Sequence, residues 1–134
     1  MPGRFFDTNV LLYMASSDRA KADRAEQLVG EGGTISVQVL NELTNVARRK
    51  MRLSWPDTRG FLGLIRALLP VRAVTIAVHE TGLDLAERYA FSPFDAMIAA
   101  SALEADCDIL WSEDMQDGLM VENRLRIANP FRAS

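Results

Sequence analysis

"RFFDTNVLLY", residues 4–13, starts as a buried strand does, with Phe5 and Phe6, and then sets Asp7, Thr8 and Asn9 before a renewed apolar run from Val10. An Asp at such a junction either caps a turn or helix or is held there for chemistry. Working outward, apolar runs of strand length alternate with longer helical patterns along the whole chain. That alternation points to an α/β fold, a central parallel sheet of about four to five strands flanked by helices. Strands are predicted at residues 4–6, 34–36, 73–75 and 108–111, with a short last one at 125–127. Helices are predicted at 20–29, 37–50, 55–69, 78–89 and 93–105; "GEGG", ending at Gly33, stops the first and Pro70 the third. No repeat, linker or low-complexity stretch divides residues 1–134, which therefore read as one domain.

Composition narrows the function classes. A chain of 134 residues, 49% hydrophobic and 25% charged, can build a proper core. The single cysteine, Cys107, can close no disulfide within the chain, and with one histidine, His79, a zinc site is not expected. The N-terminus lacks the pattern of a secretory signal, and later apolar runs are broken by charge well short of a bilayer's thickness, so a cytoplasmic protein without membrane association is expected. A net charge of −3 repels polyanions overall. Nucleic-acid contact would have to be local, and the one dense basic run is Arg48, Arg49, Lys50 and Arg52. Those cations also suit the C-terminus of the helix they end.

The acidic residues at element junctions carry the most information. Asp7 ends the first strand, and Asp114 and Asp117 follow the strand at 108–111. In open parallel sheets, ligands bind beyond the carboxyl ends of strands. In "SVQVLNELTNVARRK", residues 36–50, helical periodicity puts Val39, Leu40, Leu43, Val46 and Ala47 on a core stripe, with Gln38, Glu42, Asn45 and Arg49 on a polar stripe beside it. Glu42 is thus a border residue, able to pair with Arg49. In "FSPFDAMIAASALEA", residues 91–105, Ser92 can cap a helix with Pro93 in its first turn and Asp95 three residues on, a capping box. The small residues that follow, Ala96, Ala99, Ala100 and Ala102, allow that helix to pack closely against a neighbour. Each acid alone has a structural explanation: cap, turn or solvated pair. Their joint occurrence shifts the odds toward a shared site.

"FFDTNVLLY", "NEL", "FDAMIAASA" and "ILWSEDMQDG", in that order with helical spacers and a closing "RIANPF", resemble the PIN-domain ribonucleases, most closely the VapC-type toxins of bacterial toxin–antitoxin pairs. The resemblance implies a metal site of Asp7, Glu42, Asp95 and Asp114, with Asp117 as a further or alternative member, and supporting polar groups at Thr8, Asn9 and Ser112. It also implies an RNA substrate, a VapB-type antitoxin inserting a segment near the acids, and a homodimer. One departure is Gly118, standing where many relatives carry an aromatic.

The chemistry fits the residue types. Phosphodiester hydrolysis needs an activated water and neutralisation of growing negative charge, which Mg²⁺ or Mn²⁺ supplies through oxygen ligands. Two like charges about 4 Å apart at an effective dielectric of about 20 repel by about 4 kcal/mol. A cluster of acids must then bind a cation, hold protons or spread apart. A haloacid-dehalogenase-type phosphatase is disfavoured because Asn9 stands where a second Asp is needed, and it and a receiver domain both lack a suitable lysine, the only two being Lys21 and Lys50. The remaining alternative is a PIN-like scaffold that binds RNA or protein without cutting. Trp55, Phe61, Leu64 and Leu68 form a helical stripe expected in the core rather than at an interface.

Overall fold

The computed structural model describes residues 3–132. Six strands and six α-helices run in the order β1 (Gly3–Phe6), α1 (Thr8–Leu12), a 3₁₀ turn (Tyr13–Ala15), α2 (Arg19–Gly30), β2 (Ile35–Ser36), α3 (Val37–Arg49), α4 (Trp55–Leu68), β3 (Val71–Arg72), α5 (Ile76–Tyr89), α6 (Pro93–Glu104), β4 (Cys107–Trp111), β5 (Met120–Val121) and β6 (Leu125–Ala128). The main sheet has the order β1-β4-β6-β5, and β2 and β3 form a two-stranded sheet. A parallel bridge from Phe5 to Thr34 attaches β2 to the free side of β1. The chain therefore leaves β1 toward β2 on one side and later fills the other side with β4. The carboxyl end of β1 is the switch point at which such sheets open a crevice.

Phe5 and Phe6 point to opposite faces of β1, and both are fully buried, so helices cover both sides of the sheet. α6 is the central helix. Every residue from Ala96 to Leu103 is buried, as expected for a helix with no polar face. α5 comes close to it at Gly82, whose lack of a side chain makes room for Met97: a Cβ on Gly82 would lie 2.4 Å from Met97 Sδ.

The α/β architecture is as the sequence reading expects, but several details differ. The sheet is mixed, because β5 pairs antiparallel with β6. β5 is a two-residue strand closed by Glu122 and Asn123, both at positive φ (53° and 55°), a tight turn whose first residue is not a usual turn former. β3 lies at Val71–Arg72 rather than at 73–75, because pairing starts directly after α4, where the Ile35 N–H donates to Pro70 O (3.1 Å). Thr75 is then free to cap α5 through Val78 N–H (3.1 Å), which moves the helix start to Ile76. α1 is an additional short helix, entered directly from β1 with Asp7 as its N-cap. On α4 the buried residues are Thr58 and Ile65; of the expected core stripe Phe61 does pack against the core, whereas Trp55, Leu64 and Leu68 are exposed, which corrects the expectation for those three. Among the described residues, no helix is long and apolar enough to cross a membrane.

Candidate functional site

Strand pairing builds the site from its floor. β1 and β4 run parallel with Phe6 opposite Trp111, so the residues that follow each, Asp7 and Ser112, emerge side by side. Asp7 N–H continues the ladder to Trp111 O (2.9 Å) and Ser112 N–H to Ala128 O (3.0 Å). Asp7 is buried, only 3% exposed, and its carboxylate is held at both oxygens. Oδ1 accepts from Thr8 N–H (2.7 Å); Oδ2 accepts from Ser112 Oγ (2.7 Å) and Asn9 Nδ2 (3.1 Å). A carboxylate has about four acceptor positions, so one stays open, on Oδ1.

Glu42 comes from the middle of α3 and is half-buried. Its Oε1 accepts from Thr8 Oγ1 (2.8 Å) and its Oε2 from Gln38 Nε2 (3.0 Å). The expected pairing with Arg49 is not made. Thr8 thus ties two of the acids together, its amide on Asp7 and its hydroxyl on Glu42. Gln38 also donates to Phe94 O (2.7 Å), which fastens α3 to the first turn of α6. In that turn Ser92 Oγ accepts from Asp95 N–H (3.2 Å), the cap expected from the sequence. Asp114 lies in the loop after β4, exposed and without a side-chain hydrogen bond among the described residues. Asp7, Glu42, Asp95 and Asp114 all line one open cleft of about 840 Å³, together with Thr8, Asn9 and Gln38.

The acids sense one another. Burial, partly offset by the Ser112 hydrogen bond, pushes the Asp7 carboxyl up to about 6, and the Asp95 and Glu42 charges add to the rise. Asp95 is raised chiefly by burial, opposed by the Ser92 hydroxyl beside its carboxyl, with Glu42 and Asp114 contributing repulsion. Among the described residues, no group of three or more Asp, Glu, His or Cys side chains closes into an ion cage. The donor set is nonetheless all oxygen, the kind a hard divalent cation takes, and Mg²⁺ usually keeps several waters and touches one or two carboxylates. In donor chemistry, then, the cleft fits a hydrated Mg²⁺ or Mn²⁺.

Other predicted residues stand elsewhere. Asp117 is not brought to the cleft: its Oδ1 accepts from Asn129 N–H (2.8 Å) and its Oδ2 faces Arg132 (3.6 Å), so it fastens the β6 end of the loop. Arg48 donates to Leu53 O (2.6 Å) and lies over the Trp55 ring (4.3 Å), a structural role in the α3–α4 turn. Arg49 is exposed off the cleft, Arg52 sits in that same turn at φ 57°, and Lys50 alone of the basic run lines the cleft. Sequence reasoning missed Asn41 as a lining residue and Gln38 as the brace of Glu42. Gln38, one helical turn before Glu42, was legible from spacing. It also missed Glu113, whose partners are about a hundred residues away and leave no local signal.

The sequence profile of the family described as PIN domain matches residues 4–116. No curated protein sequence matches the chain. Among solved structures, the fold is similar to a toxin–antitoxin complex from Klebsiella pneumoniae (TM-score 0.73, 18% identity, covering 97% of this chain and 99% of that one). It is similar to VapBC2 from Rickettsia felis bound to a promoter DNA fragment (TM-score 0.69, 19% identity, 94% and 97% covered). It is also similar to VapC20 of Mycobacterium tuberculosis, a toxin that cleaves the sarcin–ricin loop (TM-score 0.68, 20% identity, 83% and 89% covered). At these identities the likeness is one of fold.

Proposed function

This chain belongs to the PIN domain family, and on that footing we propose that it is a Mg²⁺- or Mn²⁺-dependent endoribonuclease, the toxin of a VapC-type toxin–antitoxin pair. The observation that carries this reading is the convergence of Asp7, Glu42, Asp95 and Asp114, from four separate segments, on one cleft at the sheet's switch point. Residues 1–134 act as a single PIN domain, and the protein works in the cytoplasm.

The bound ion would make a water nucleophilic and neutralise charge on the phosphoryl oxygens. Asp7, Asp95 and Asp114 would hold it or its waters. Asp7 needs no reorganisation to do so, because Thr8, Asn9 and Ser112 already fix its orientation and leave one lone pair of Oδ1 open. Glu42, half-buried and steadied by Thr8 and Gln38, is suited to orienting the attacking water and accepting its proton. Lys50 can meet a phosphate at the cleft edge, and the exposed Phe94 (69%) offers a face on which an unpaired base can stack. The exposed apolar side chains Trp55, Leu64 and Leu68 on α4 leave surface for a second copy, and the apolar cleft rim at Val37, Val74 and Phe94 for the antitoxin.

The test is cleavage of total RNA with Mn²⁺, against EDTA and Asp95→Asn controls. Cutting that requires Mn²⁺ and falls at least about a hundredfold in the variant is expected. Tight RNA binding without any cutting would instead favour the non-catalytic scaffold, and cutting that survives both controls would remove the acidic cleft as its source.

A further inference from the structure

Asp114 is the least supported acid of the cleft. It is exposed, and its carboxylate makes no hydrogen bond among the described residues. Its position is therefore set by the backbone on either side. On one side Ser112 is anchored through Oγ, which donates to Asp7 Oδ2 (2.7 Å) and accepts from Met115 N–H (3.2 Å). Between Ser112 and Asp114 stands Glu113, a residue to which the proposed reaction assigns no part.

Glu113 is bound at both ends. Its N–H donates to Asn9 Oδ1 (3.0 Å), and Asn9 Nδ2 in turn donates to Asp7 Oδ2 (3.1 Å), so one amide side chain links the Asp114 loop to the Asp7 carboxylate. Its side chain reaches Tyr13 and Lys21: Oε1 accepts from Tyr13 Oη (2.7 Å) and Oε2 from Lys21 Nζ (2.6 Å). Lys21 also donates to Tyr13 Oη (3.2 Å) and sits over the rings of Tyr13 (4.7 Å) and Phe131 (5.3 Å), which meet edge to face. None of Tyr13, Lys21, Glu113 and Phe131 lines the cleft. The clamp gathers the 3₁₀ turn, α2, the loop after β4 and the chain beyond β6 around one carboxylate. With Lys21 paired to it, Glu113 adds little repulsion to the acids beside it.

We propose that Glu113, clamped by Lys21 and Tyr13, is a positioning residue that holds the Asp114 loop against the Asp7 strand end and thereby sets the cleft's affinity for a divalent cation. The inference rests on the metal-dependent reading of the cleft given above. Partners that orient metal ligands commonly contribute about ten- to a hundredfold in affinity.

The experiment is calorimetric titration of Mn²⁺ into the full chain, wild type against Glu113→Gln and Lys21→Met, with circular dichroism verifying the fold and Glu104→Ala as control. Glu104 pairs with Arg72 in an exposed ion pair outside the cleft. Each clamp variant should weaken Mn²⁺ binding about tenfold or more, the double variant should be little worse than the weaker single one, and the control should bind as wild type. Folded clamp variants with wild-type affinity overturn the proposal while the metal reading stands. A wild-type chain that binds no Mn²⁺ overturns both. Should Glu113→Gln fail to fold, Tyr13→Phe, which keeps the ring contact and removes only the hydroxyl, decides in its place: wild-type affinity there overturns the clamp.

Discussion

Asp7 shows how much one residue can be asked to do. Its backbone extends the β1–β4 ladder, its side chain caps α1, and its carboxylate faces the cleft with a pKa of about 6 against an ordinary 3.8, chiefly through burial. A raised folded-state pKa means the native chain holds a proton that the unfolded chain has released. Without a cation, this stabilisation is fully present below about pH 4 and lost as pH rises through about 6, for at most about 3 kcal/mol. Asp7→Asn removes that dependence but also loses an acceptor for Ser112 or Asn9, about 1 kcal/mol at every pH. In EDTA, the difference in unfolding free energy between variant and wild type should therefore move in the variant's favour by about 2 to 3 kcal/mol from pH 4 to pH 7.5. Urea melts at both pH values check this, and a pH-independent difference would show that the carboxyl is not strained. Millimolar Mn²⁺ should raise the wild-type melting temperature at pH 7.5 and the variant's less.

At the scale of elements, two glycines permit two close approaches of different stiffness. A Cβ on Gly33, just before β2, would meet the Phe6 ring at 2.4 Å and Arg4 O at 3.0 Å. Phe6 is fully buried and Arg4 O is backbone, so neither can yield cheaply. A Cβ on Gly82 would meet only the flexible end of Met97 below 3.0 Å. Gly33→Ala should cost about 1 to 3 kcal/mol by overpacking, and Gly82→Ala clearly less, as measured by urea midpoints at unchanged slope. Equal losses would mean that the α5–α6 contact is as rigid as the sheet edge. The same scale shows where element prediction stops. Long helices with Ser or Thr caps were legible to within two residues, because capping is local chemistry. Two-residue strands such as β3 and β5 were not, because such a strand exists only through the partner it pairs with.

For the whole molecule, charge must be weighed against location. A net charge of −3 gives no general attraction for RNA, so the RNA binding proposed above rests on the few cations at or beside the cleft. Lys50 lines it, and Arg49 lies next to it in sequence. Neutralising Arg49 and Lys50 together should weaken RNA binding and reduce the salt slope by about 1 to 1.5, at about 0.7 per contact on single strands. Filter binding across a salt series measures this; an unaltered slope would place the phosphates elsewhere on the surface. Arg48 illustrates why composition could not make the choice, since its guanidinium is committed to Leu53 O and the Trp55 ring. Asp117 illustrates the same for the acids, being turned toward Asn129 and Arg132 although it stands three residues from Asp114. The sequence by itself determined the alternation of strands and helices, the caps, the stripe that carries Glu42 and the polar break that ends β1 at Asp7, because periodicity and capping act over a few residues. Only the tertiary structure decided which acids share a cleft, which cations are free of structural duty, and that Glu113 is tied to Tyr13 and Lys21. Those outcomes depend on contacts between segments up to about a hundred residues apart, and no short-range pattern encodes them.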